Sequence, residues 1–200
     1  MLKRFKNCLN FFIAAVSIML HLAVSADECK RLFDDGLFKQ AIASCTKMAK
    51  AGDHAAQTML GEAYDSEGNS EKTAFWWTQA ADAGYQPARN LLALKYYYGG
   101  TVFGHEKGWR QDYAKAYKIW KQDAGQGIAA SQFMIGVMYQ KGQGIAKDLS
   151  ESRFWLKLAL ANGYKLATDV LIEISREITP EQKHLADKKL VEYQKNKVKK

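Results

Sequence analysis

Between Ala56 and Tyr139 one arrangement of small, apolar and aromatic positions recurs three times. The first copy runs Ala56-Gln57-Thr58-Met59-Leu60-Gly61-Glu62-Ala63-Tyr64. The second runs Ala88-Arg89-Asn90-Leu91-Leu92-Ala93-Leu94-Lys95-Tyr96, and the third Ser131-Gln132-Phe133-Met134-Ile135-Gly136-Val137-Met138-Tyr139. A weaker copy starts at Ala167 and passes Leu171-Ile172. Small residues hold the first and sixth places, an apolar residue the fifth and an aromatic the ninth. Spacings of three to five place these on one face of a helix, and small residues let a neighbouring helix come close.

A second helical block follows each copy: Trp76-Trp77…Ala80-Ala81…Gly84, Ile119-Trp120…Ala124…Gly127 and Trp155-Leu156…Ala159…Gly163. An earlier block, Ala41…Met48-Ala49…Gly52, fits the same frame, with Cys45 where the second aromatic would stand. Each ends on glycine, as a helix entering a turn does. The pattern therefore predicts helix–turn–helix pairs. First-helix starts at 56, 88, 131 and 167 give periods of 32, 43 and 36. The stretch from the ninth-place tyrosine to the second helix varies by the same differences, so all length variation is expected in the turn inside the pair.

Tyr139-Gln140-Lys141-Gly142-Gln143-Gly144-Ile145-Ala146-Lys147-Asp148, with Ile135-Gly136 before it and Trp155 and Gly163 after it, resembles the Sel1-like repeat. Those repeats are cousins of tetratricopeptide repeats. The resemblance covers roughly 29–165; it is looped out in the third pair, shortened in the second, and more tetratricopeptide-like in the first. It implies an all-α, right-handed α/α solenoid of about four repeats. Thr179-Pro180-Glu181-Gln182 resembles the start of the capping helix that closes such arrays, and reads independently as a capping box with proline in first position. The expected divisions are a signal segment (1–26), a repeat domain (27–178) and a capping helix with a Lys-rich tail (179–200).

The amino terminus changes the picture. Lys3, Arg4 and Lys6 precede an apolar run from Phe11 to Leu20, and Val24-Ser25-Ala26 places small residues at a cleavage position. A cleaved signal and a periplasmic or secreted protein are expected, with no membrane insertion after cleavage; a retained anchor is the alternative. The net charge of +8 divides accordingly. Three basic residues lie in the leader and seven lysines in 183–200, leaving 19 basic and 19 acidic residues between. A nucleic-acid partner is not expected of a neutral repeat domain. Beyond the leader stand Cys29 and Cys45, separated by the turn Asp35-Gly36. Two helices folded back there would make them face each other, as a disulfide or as two buried thiols.

The search for chemistry yields little. There is no phosphate-cradling glycine loop, zinc-binding HExxH or nucleophile elbow. The histidines are scattered and no CxxC is present, so no metal, cofactor or catalytic residue is expected. Ser44-Cys45-Thr46-Lys47 matches S-x-x-K, and some disulfide-bonded Sel1-like proteins are described as β-lactamases. Neither S-D-N nor K-T-G accompanies it, so a penicillin-binding hydrolase is the minor alternative.

Resemblance implies protein–protein interaction in the cell envelope, one narrower form being an immunity partner of a secreted effector. In tetratricopeptide-like stacks the first helices line the concave surface. Solvent-facing sites there are three before, one after, and four and five after the sixth-place residue. That selects Thr58, Glu62, Asp65 and Ser66, then Asn90, Leu94, Tyr97 and Tyr98, then Phe133, Val137, Gln140 and Lys141. These are the expected contacts for a protein or peptide. A second candidate is the glycine-rich loop Gly99–Gln111, with Phe103 and Trp109 as its contact aromatics.

Overall fold

The computed structural model describes residues 27–101 and 109–198; the expected signal segment and Phe103 lie outside them. Among the described residues there are ten helices and no strand. They are α1 (27–34), α2 (Phe38–Lys50), α3 (His54–Ser66), α4 (Ser70–Asp82), α5 (Gln86–Tyr98), α6 (Tyr113–Gly125), α7 (Ala129–Lys141), α8 (Leu149–Ala161), α9 (Ala167–Ile174) and α10 (Pro180–Val198). A single 3-10 turn, Gly99–Thr101, follows α5.

Helices α2 to α8 are each 13 residues long, about 20 Å at 1.5 Å per residue. Turns inside the pairs, at 67–69, 99–112 and 142–148, hold three, fourteen and seven residues. Those between pairs, at 51–53, 83–85 and 126–128, hold three each. The irregular period thus arises where the sequence places it. Glycines of the two kinds of turn also differ in backbone: φ is 69–73° at Gly36, Gly68, Gly99 and Gly142, but 87–93° at Gly52, Gly84, Gly127 and Gly163. Both values are left-handed, which explains why glycine recurs.

Side-chain caps set the starts. Asp53, Asn69 and Asp112 accept from the amides of Ala56, Lys72 and Lys115, and Asp148 accepts from Ser150 and Glu151. At α10, Thr179 Oγ1 accepts from the Gln182 amide while Gln182 Oε1 accepts from the Thr179 amide. That is the capping box read from the sequence.

Two compact units divide the chain, one holding 27–89 and the other 90–101 with 109–198. In the first, Cys29, Leu32, Cys45, Met48 and Leu60 form an apolar cluster, and the disulfide Cys29–Cys45 ties α1 to α2 across a Cα separation of 4.9 Å. Trp77 is fully buried over Gly61, and its indole donates to the Thr58 carbonyl at 3.1 Å. In the second, Ala93, Trp120, Ile135, Met138, Phe154 and Leu158 belong to the main cluster, while Leu156, Ala159 and Ile174 belong to a smaller one. The Trp120 indole donates to Asn90 Oδ1 at 3.1 Å.

A polar clamp repeats with the helices. Gln57 and Gln132 occupy the second place of the repeated pattern, the fourth residue of α3 and of α7, and both are buried. Gln57 Nε2 donates to the Ala49 carbonyl at 3.0 Å, and Gln132 Nε2 to the Ala124 carbonyl at 3.1 Å. Each amide thereby supplies a donor to the carboxyl end of the preceding helix, where backbone carbonyls lack intrahelical partners.

Candidate functional site

The first-helix positions separate by burial. Those five after the small residue are exposed in all three copies: Ser66, Tyr98 (46% exposed) and Lys141. Those four after it, Asp65, Tyr97 and Gln140, are all buried, as are Thr58 and Val137. The expectation that Thr58, Asp65, Tyr97 and Val137 face solvent is therefore corrected. Thr58 lies under Trp77 and turns its hydroxyl back to the His54 carbonyl at 2.7 Å. Tyr97 is enclosed by Tyr113 and Trp120, at ring separations of 5.1 and 5.5 Å. Asp65 and Val137 stand 5% and 9% exposed on helix flanks that packing covers. Glu62, Asn90, Leu94 and Phe133 are half-buried.

In the first unit, Glu62 is the residue with unusual chemistry. Burial, reinforced by the neighbouring Asp65 carboxylate, pushes its carboxyl up from 4.5 to about 7.

In the second unit, a hydrogen-bonded network joins the end of α5 to the starts of α6 and of the α7–α8 turn. The Tyr97 hydroxyl donates to Gln143 Oε1 at 2.5 Å, and Gln143 Nε2 donates to the Tyr113 hydroxyl at 3.0 Å. Gln111 Nε2 donates to the Tyr97 carbonyl and the Tyr113 hydroxyl, both at 2.9 Å. Burial, with Tyr98 and Tyr113 beside it, pushes the Tyr97 hydroxyl up to about 12, so it stays a donor. Tyr98 stacks edge-on against Tyr97 at 4.8 Å. Trp109 packs edge-on against Tyr96 at 5.6 Å. Phe133 lies 4.8 Å from the Tyr164 ring. Leu94 packs on the main cluster and Lys141 points outward.

Sequence reading missed Gln111 and Gln143, because turn residues carry no periodic signal, and Tyr113, which opens α6 ahead of its repeat-frame positions. It also missed the surroundings of Lys121, whose ammonium lies 4.2 Å from the Trp155 ring and 5.8 and 5.9 Å from those of Tyr139 and Tyr117.

The S-x-x-K residues have no enclosing site in α2. Cys45 is in the disulfide, Ser44 is half-buried and Lys47 is exposed. Among the described residues no group of three His, Cys, Asp or Glu could hold a metal ion. No helix among them is long and apolar enough to cross a membrane.

No family model matches the chain. Among solved structures, a Sel1 repeat protein from Oxalobacter formigenes is 27% identical with a TM-score of 0.54, over 66% of this chain and 96% of that one. A protective antigen present in uropathogenic Escherichia coli strains, displaying an SLR fold, is 28% identical with a TM-score of 0.67. It covers 82% of this chain and 36% of that one. The chain has the Sel1-like repeat fold. Curated relatives of this Sel1-like repeat protein include chitin synthase regulatory factor 3 of Schizosaccharomyces pombe, 29% identical over 125 residues. Another is the ERAD-associated E3 ubiquitin-protein ligase component HRD3A of Arabidopsis thaliana, 29% identical over 85 residues. They match 60% and 42% of the Sel1-like repeat chain, which spans only 13% and 11% of their own lengths. The solenoid of helix pairs expected from the sequence is thus the fold.

Proposed function

We propose that this Sel1-like repeat protein is an extracytoplasmic adaptor, without enzymatic activity, that binds a protein partner through first-helix residues of its second unit. The observation that carries this reading is Tyr98: a large aromatic 46% exposed on α5 and braced from behind by the buried Tyr97 ring. Rigid, half-exposed aromatics make good interface anchors because little side-chain freedom is lost on binding. Leu94 and Phe133 would extend the apolar contact, with Lys141 at its rim and Asn90 positioned by Trp120.

Support for the compartment comes from the amino-terminal pattern, the buried disulfide and the likeness to a bacterial protective antigen. Curated relatives named as a regulatory factor and a ligase component support a role in assembly. The test is capture of partners from an envelope fraction by the tagged chain, compared with Tyr98→Ala and Leu94→Asp. Loss of the partner with unchanged helical circular dichroism is expected. Undiminished capture by both variants overturns the assignment and redirects it to the loop bearing Phe103 and Trp109. Amino-terminal sequencing of the exported protein should begin at Asp27; a chain beginning at Met1 contradicts the cleaved signal. Hydrolysis of a chromogenic β-lactam that disappears with Ser44→Ala would overturn the non-enzymatic reading.

A further inference from the structure

Helix α10 is attached differently from the others. It packs mainly on α8, and among its described side chains only Ala186 is buried, with Leu190 and Tyr193 partly covered. The rest of its hold is electrostatic. Asp187 Oδ1 accepts from Arg153 Nε at 3.2 Å and from Lys157 Nζ at 2.8 Å. Lys189 pairs with Glu151, whose other oxygen accepts from the Trp155 indole, and its ammonium stands 4.8 Å from the Phe154 ring. Packing between the start of α8 and α10 is incomplete. A cavity of about 370 Å³ opens there beside Ser150, Leu185 and Glu192, and Leu185 is 57% exposed.

Ion pairs with partly exposed members are weak and screened by salt. A helix held by one buried alanine, two partly covered apolar side chains and such pairs, with a cavity beside it, docks reversibly. What it covers is a finished recognition surface: Phe154, which is 3% exposed with α10 in place, flanked by the cations Arg153 and Lys157 on one side and the anion Glu151 on the other. We propose that this face of α8 is a second binding surface, which α10 occupies as an internal stand-in. Its external ligand is an amphipathic helix of the same chemistry. Such a helix carries apolar side chains at i, i+4 and i+7, a carboxylate at i+1 and an ammonium at i+3, as Ala186, Leu190, Tyr193, Asp187 and Lys189 do. Its charges complement those α8 presents, and it competes with α10 for one site.

The inference does not rest on the Tyr98 surface, and its test needs no native partner. Full-length protein is made with the double reversal Asp187→Lys and Lys189→Glu, so that its own α10 no longer complements α8. A fluorescent peptide of the unaltered residues 180–198 is the probe. The peptide is expected to bind the reversed variant at least tenfold more tightly than the wild type, and to lose that binding on adding salt. Amide exchange along α10 is expected to quicken at least tenfold in the variant, with α7 and α8 unchanged. Asp187→Asn, which keeps shape and removes one charge, should shift both readouts in the same direction by less. Equal peptide binding to variant and wild type, absence of binding to either, or wild-type protection of α10 in the variants overturns the proposal.

Discussion

Gly61 lies directly beneath the indole of Trp77: a methyl group built on the glycine would come 2.3 Å from Trp77 Cδ1. The same relation recurs in the second unit, where a methyl on Gly136 would come 2.6 Å from Leu156 Cγ. A small residue at the sixth place is thus the socket for the large residue of the second helix. Gly61→Ala is expected to destabilise the protein by about 1–2 kcal/mol, because overpacking outweighs the better helix propensity of alanine. Thermal denaturation checks this; an unchanged or raised midpoint would refute the socket.

Cys29 and Cys45 are both fully buried. The oxidised protein should therefore resist thiol reagents until it is both unfolded and reduced, and its mass should be about 2 Da below that of the reduced chain. Breaking the bridge with Cys45→Ala should cost about 3 kcal/mol, on loop-entropy grounds for a 16-residue separation. Amide exchange should quicken first in α1, which the bridge pins to α2.

Glu62 gives the first unit a pH dependence of unusual sign. Its folded-state value of about 7 exceeds the ordinary 4.5, so the native protein holds this proton more tightly than the unfolded chain does. Its contribution to stability is whole below about pH 4.5 and is lost as pH rises through about 7. Glu62→Gln should match the wild type at pH 4.5 and exceed it at pH 8 by an amount on the order of 1 kcal/mol, after allowance for solvent screening. Denaturant titrations at the two pH values decide the matter. Equal stability of the two proteins at both would contradict it.

The buried amide of Gln132 bonds to the Ala124 carbonyl and, through Oε1, accepts from Asn162 Nδ2 at 2.8 Å. Gln132→Leu keeps the bulk and leaves both partners without it. A loss of about 1 kcal/mol is expected, the net worth of the lost hydrogen bonds, because the Ala124 carbonyl keeps the Gly127 amide and Asn162 is exposed. Gln57→Leu should act alike in the first unit, where His54 takes the place of Asn162 as the second partner. Urea denaturation of both variants measures it.

The repeat could be read from the chain because two local demands leave a mark in sequence. A socket needs glycine or alanine at a fixed distance from an aromatic, and a left-handed turn needs glycine. Burial four places after the socket leaves no such mark. Tyr97 is enclosed by Tyr113 and bonded to Gln143, 16 and 46 residues further on, and nothing in the period of α5 records their arrival. Gln57 and Gln132 carry no such mark for the same reason: only the neighbouring helix end makes them core residues. Charges on α10 were legible as a Lys-rich tail, but their pairing with α8 required the fold.

The two classes of glycine turn say where this molecule can accept new material. Turns inside a pair hold three, fourteen or seven residues while the flanking helices keep their length, so extra chain there is absorbed without reaching the rest of the stack. Turns between pairs never depart from three residues through α7, and their glycines share one backbone setting. A residue added at 126–128 would change the angle at which α7 leaves α6. A grafted epitope or a tag therefore belongs beside Gly68, away from the bonded Gln143, and the three-residue turn at Gly127 is one to leave untouched.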